Sequence, residues 1–172
     1  MLETKNLIIR HAKPIDALDI YEMLTDEEIL KYNCMNKPDL EQLKKRLYKV
    51  DSSNFYIELK KENKVIGSIS IEEDSLRYQV NSYTISYFLN TDYTKKGYMS
   101  EALIAFIEYL FNEPETEIIS ARCFAENENS IRLLNRLNFT YEGKLRYAVK
   151  GYDNKIHDDL LFSLKREEFK KV

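Results

Sequence analysis

The stretch 93-YTKKGYMSEALIAFIEYLF-111 sets two lysines, one glycine and a serine at the start of an amphipathic helical repeat. A helix start presents unpaired N–H groups and about half a positive charge, which together attract phosphate. Lys95 and Lys96 add charge, Gly97 lets backbone approach a ligand closely, and Ser100 can cap the helix or donate a hydroxyl. The pattern is neither the phosphate loop G-x-x-x-x-G-K-[ST] nor the dinucleotide G-x-G-x-x-G. Two readings stand on this loop alone: an anion site, or an ordinary solvated helix start.

A second group lies at 127-NENSIRLLNRLNF-139. Asn127 reads as an N-cap, Asn138 as a left-handed C-cap and Phe139 as core, whatever the function. Ser130 reads either as a reactive-site hydroxyl or as a first-turn residue bonding its own backbone. Among carboxylates, Glu72 and Glu73 end an alternating segment, and Glu101 is expected to stabilise its own helix N-terminus. His11 and His157 stand singly and read as structural. Cys34 and Cys123 have neither C-x-x-C nor Cys/His metal spacing, so no metal site is expected.

The elements that must carry these residues follow from period and punctuation. Residues 7–12 read as a strand, Pro14 to Thr25 as a helix, and Asp26 to Lys31 as a short helical addition. Residues 39–50 read as a helix capped by Asp39. The period then changes: 54–61 and 65–73 alternate around a turn at 62–64, and 79–89 makes a further strand. The helix from the opening loop puts Ala102, Ala105, Phe106, Tyr109 and Leu110 on one core stripe. A strand at 117–125, a helix at 128–137 and strands at 139–150 and 155–164 complete the chain. The order is β-α-α-β-β-β-α-β-α-β-β, mostly antiparallel, with one parallel pair made by the crossover around 84–124.

The chain has 172 residues, 44% hydrophobic and 32% charged, and is expected to form one α/β domain over 1–172. A net charge of −3 gives no global argument for nucleic acid or a membrane surface as partner. The charged N-terminus lacks a signal-peptide pattern and no apolar run approaches a membrane helix, so a reduced cytoplasm is the expected compartment.

Together and in this order, the segments resemble the GNAT N-acetyltransferases, and among them the ribosomal-protein N-terminal acetyltransferase and spermidine acetyltransferase group. The resemblance runs through 2-LETKNLIIRHAKPIDALDIYEML-24, 66-IGSISI-71, 93-YTKKGYMSEAL-103 and 121-ARCFAENENSIRLLNRLNF-139. It ends on 142-EGKLR-146 and 157-HDDLLFSLKREE-168. It implies a mixed, mostly antiparallel splayed sheet flanked by helices, holding acetyl-coenzyme A between two parallel strands. Tyr87, Phe88 and Leu89 would offer backbone hydrogen bonds to the pantetheine arm. The pyrophosphate would lie on Lys95, Lys96, Gly97, Tyr98, Met99 and Ser100, Asn127 would bond the pantetheine, and Arg136 would reach the nucleotide. The departures are Thr94 at the family's Gln or Arg, Lys95 at a frequent glycine, Met99 at a small residue, and Asn138 before Phe139.

The implied chemistry is acetyl transfer to a primary amine, either a protein N-terminus or a small amine. An alkyl amine has a pKa of about 10, so its proton must leave by a base or a water chain. The family's general-acid tyrosine is replaced by Leu134, and Ser130 is the expected substitute. Glu72 is the carboxylate named as base, with an ordered water chain as the alternative. Acceptor selection would fall to 25–41 and 147–159, with Asp26, Glu27, Glu28, Asp158 and Asp159 as candidates. A homodimer is compatible with this. The rival expectation is a catalytically weak or inactive coenzyme A-binding module.

Overall fold

A computed structural model describes residues 1–170. Eight strands form one sheet in the order β1-β2-β3-β4-β5-β6-β8-β7. They are β1 (Leu2–Glu3), β2 (Leu7–Arg10), β3 (Asn54–Leu59), β4 (Lys64–Glu73), β5 (Ser82–Leu89), β6 (Ile118–Phe124), β7 (Thr140–Lys150) and β8 (Ile156–Lys165). Among the described residues five α-helices flank them: α1 (Ala17–Thr25), α2 (Glu27–Leu30), α3 (Leu40–Arg46), α4 (Tyr98–Asn112) and α5 (Glu128–Arg136). The short β1, absent from the sequence-based expectation, is a two-residue strand with no alternation to read.

Period-2 patterning puts alternate residues of each strand on opposite faces. Ile69 and Ile85 join Phe106, Ile107, Leu134 and Phe162 in the larger core, beneath α4 and α5. On the other face Ile20, Met23, Leu43 and Val65 pack under α1 and α3. The α4 stripe is rotated from the expected one. Ala102, Phe106 and Leu110 are buried, but so are Leu103, Ile107 and Phe111, while Tyr109 is exposed. The broad buried arc arises because α4 packs against the β1–β2 end of the sheet as well as the central core, so apolar spacing alone misplaced its centre.

Every neighbouring pair is antiparallel except β5 and β6, which are parallel, as the crossover required. Their pairing holds from Ser82↔Ile118 to Ile85↔Ala121 and then stops. Beyond Ile85, β5 continues to pair with β4 through Gly67↔Leu89 but has lost β6. The two strands therefore splay.

The helix that sits at this splay is fixed by a carboxylate. Glu101 accepts from Thr4 Oγ1 at 2.6 Å, from Asn6 N at 2.8 Å and from Asn6 Nδ2 at 2.8 Å. It ties the β1–β2 turn to α4, a wider task than stabilising its own helix end. Burial acts to raise its carboxyl, but the Asn6 and Thr4 donors outweigh burial and hold it below its usual value. A depressed carboxyl stabilises the fold above its ordinary value of 4.5, and that contribution fades as pH falls through the folded value. Glu101→Gln should lower unfolding stability by about 1–3 kcal/mol at neutral pH. In urea titrations the variant should also lose less stability than the wild type on acidification below pH 4.5.

Candidate active site

A cleft of about 700 Å³ opens at the splay. Tyr87, Phe88 and Leu89 of β5 form one wall, and the first turns of α4 and α5 form the others. The α4 N-terminus, with its unpaired N–H groups, opens on this space, and α5 lies along it from Asn127 to Arg136. Lys95, Gly97, Tyr98, Met99 and Ser100 line it from the α4 side, and Asn127, Asn129 and Ser130 from α5. Arg132 and Arg136 add positive charge along α5, and Glu28, Ile29, Tyr32 and Asn33 close the far side.

The α4 loop is shaped by two left-handed residues. Gly97 is the N-cap at φ 84°, with no side-chain cap, and Lys95 sits at φ 61°. Ser100 lies inside the first turn and does not cap the helix, because the chain enters the helix three residues earlier than a serine cap requires. Lys96 turns away: its ammonium donates to Asp92 O at 2.8 Å and lies 5.0 Å from the Tyr93 ring centre. It is not among the residues lining the cleft.

The α5 start follows the capping expectation. Asn127 Oδ1 accepts from Ser130 N at 3.2 Å, and Asn138 ends the segment at φ 62° with Phe139 buried after it. The Ser130 hydroxyl makes no backbone hydrogen bond among the described residues and lines the cleft. Leu134, one turn further on, is fully buried.

Glu72 is not brought to the cleft. It pairs with Thr84, which pairs with Ser120 on the part of β5 still joined to β6, where the gap between strands is shut. It lines a separate recess of about 40 Å³ with Asp74, Arg77 and Glu142. Glu28 is the carboxylate among the cleft-lining residues.

Sequence reasoning took Tyr87 as a source of backbone bonds and missed its side chain. The Tyr87 hydroxyl is buried, and no group meets hydrogen-bond geometry with it among the described residues. Burial pushes the phenol far above its usual value, and the Ser130 side chain bears on it in the opposite sense without reaching full hydrogen-bond geometry. Nothing in a period-2 apolar pattern distinguishes such a tyrosine from a core aromatic.

The two segments expected to select the acceptor meet. Tyr152 N donates to Asn33 O at 2.8 Å, joining the loop after α2 to the β7–β8 turn, and the Lys37 ammonium lies 5.7 Å from the Tyr152 ring centre. On the neighbouring strands, Asp159 accepts two bonds from Arg122, at 3.0 and 2.7 Å, all on Oδ2.

An open sheet split between two parallel strands, with α4 beginning at the split and α5 lying along it, leaves one strand edge and a helix N-terminus facing the same space. Residues 6–140 match the family model described as the acetyltransferase (GNAT) domain. The chain belongs to that family of acetyltransferases. It is 30% identical over 179 residues to the uncharacterised N-acetyltransferase p20 of Bacillus licheniformis, covering 98% of this chain and 97% of that protein. A GNAT-family acetyltransferase structure from Bacillus anthracis is 26% identical, with a TM-score of 0.85 over 97% of this chain and 99% of that one. The ribosomal L7/L12 alpha-N-protein acetyltransferase RimL, solved in complex with Coenzyme A, shares the fold at 16% identity. Its TM-score is 0.77 over 94% of this chain and 95% of its own.

A Cβ on Gly97 would meet nothing within 4 Å, so only its backbone conformation resists substitution. Gly97→Ala should cost about 1–2 kcal/mol of unfolding free energy from the left-handed φ alone. Lys95→Gly should be neutral or stabilising by chemical denaturation, because it relieves the same constraint.

Proposed function

We propose that the protein is an acetyl-coenzyme A-dependent N-acetyltransferase that moves the acetyl group to a primary amine by direct attack on the thioester. The observation that carries this reading is the meeting of the α4 N-terminus, the flank of α5 and the unpaired edge of β5 on one cleft. The edge of β5 beyond Ile85 suits the amides of a pantetheine arm, and the α4 turn with Lys95 suits a pyrophosphate. RimL, of the same fold, is a coenzyme A complex, which supports the choice of ligand.

In this reading Asn127, whose Oδ1 is spent on its cap, still has two amide N–H donors for a pantetheine carbonyl. Arg136 attracts the nucleotide end. Backbone N–H groups of β5 meet the developing oxyanion, a contribution of about 3–4 kcal/mol. The Ser130 hydroxyl faces the thioester sulfur. With Glu72 outside the cleft, the amine loses its proton to water entering the open side, where Glu28 stands. The acceptor, a protein N-terminus or a small amine, enters between the loop after α2 and the β7–β8 turn. The two cysteines are unpaired, in keeping with work in a reduced cytoplasm.

A second reading, a coenzyme A-binding module without turnover, is favoured by one observation: Leu134 fills with core the place of the family's acid. Release of free thiol from acetyl-coenzyme A over a panel of amines and peptides separates the two. Release above the amine-free rate is expected; coenzyme binding with no release on any amine would favour the module. Ser130→Ala should reduce turnover about 10- to 100-fold while coenzyme affinity by calorimetry stays within about threefold.

A further inference from the structure

Of the buried side-chain polar atoms left without a hydrogen bond among the described residues, the Tyr87 hydroxyl is the one in the cleft wall. Phenylalanine would fill the same volume without stranding a donor, so the hydroxyl adds the cost of a buried donor with no protein partner. Tyr87 lies two residues beyond the last β5–β6 rung, on the face of Ile85 and beneath α5. Ser130 opens α5 over it and lines the same cleft.

A serine hydroxyl has one proton and two lone pairs, and its rotor is free until a donor occupies a lone pair. We propose that Tyr87 is a positioning residue. Its phenol donates to Ser130 Oγ when the coenzyme fills the cleft, turning the single Ser130 proton toward the thioester sulfur. This rests on the coenzyme reading above. As the amine attacks, the C–N bond forms, the C–S bond breaks and its electron pair stays on sulfur. Ser130 donates a hydrogen bond to that thiolate, polarised by Tyr87 behind it, and both hydroxyls keep their protons. The thiolate then takes a proton from water, and the amine's proton leaves to water. The raised phenol suits this part, since it stays protonated throughout. Nearby Cys123 does not compete as a nucleophile, because burial, with the Asp159 charge second, pushes its thiol up to about 12.

The test uses Tyr87→Phe, Ser130→Ala and the double variant, with turnover and the thiol titration of bound coenzyme A followed by thiolate absorbance. In Tyr87→Phe, turnover should fall about 10- to 100-fold with the KM for acetyl-coenzyme A within about threefold. The bound thiol should titrate higher than in the wild type, and the melting temperature should be equal or up to about 4 °C higher. The double variant should be no worse than Ser130→Ala, because Tyr87 acts through Ser130. Wild-type titration of the bound thiol, wherever Tyr87→Phe folds or not, should lie below that of free coenzyme A. Unchanged turnover and titration in Tyr87→Phe, additive losses in the double variant, or a wild-type thiol that titrates at or above the free value would each overturn the proposal. If no amine is acetylated, a Tyr87→Phe shift in the bound thiol still supports the positioning role while the acetyl-transfer reading falls. Failure to bind coenzyme A overturns both.

Discussion

The parallel ladder between β5 and β6 ends after Ile85↔Ala121, and the cleft exists because it ends there. A sheet resists being parted, since each lost rung leaves backbone donors and acceptors without partners. Here β5 is still held by β4 along its whole length, so one edge stays rigid while the other is open. The open edge is a strip of extended backbone at fixed height, the natural counterpart of a ligand with amides of its own. The helices that follow β5 and β6 begin at the opening, so the geometry that parts the strands also sets both helices against it.

Holding two strands apart requires stiffness elsewhere, and polar staples supply it. Glu101 fixes α4 to the β1–β2 turn across the molecule. Arg10 on β2 donates to Asp16 at 2.7 and 2.9 Å and to Glu58 at 2.6 Å, binding the chain before α1 to the sheet. The partners hold the Arg10 guanidinium firmly charged, with the Asp16 hydrogen bond leading, against the opposing effect of burial. These groups touch nothing in the cleft, yet they fix the frame from which Lys95, Asn127 and Ser130 are presented. Removing one partner of such a buried ion pair would strand the other charge, which is strongly destabilising.

Much of this was legible in the residues because strand and helix periods differ so clearly. The β3–β4 hairpin, the crossover from β5 through α4 to β6 and the Asn127 and Asn138 caps all follow from local chemistry that tertiary packing left unchanged. What escaped needed three-dimensional register. Whether Glu72 faces a cleft depends on where a neighbouring pair of strands stops pairing, and no alternation within β4 records that. The Ser100 cap failed because Gly97 and Lys95 adopt left-handed backbone, drawing the helix start back along the chain. The stranded Tyr87 hydroxyl is the subtlest case, since a tyrosine and a phenylalanine read alike in an apolar strand.

The bond from Tyr152 N to Asn33 O spans more than a hundred residues of sequence. It makes one rim out of two segments that a change in either would otherwise alter separately. Loops usually vary freely in length because their tips answer only to solvent. These two must keep step, since an insertion after α2 that moves Asn33 also strips the β7–β8 turn of its anchor. Change in the outline of this rim is therefore constrained to proceed by paired changes in both loops, or by side-chain replacement on a rim of fixed shape.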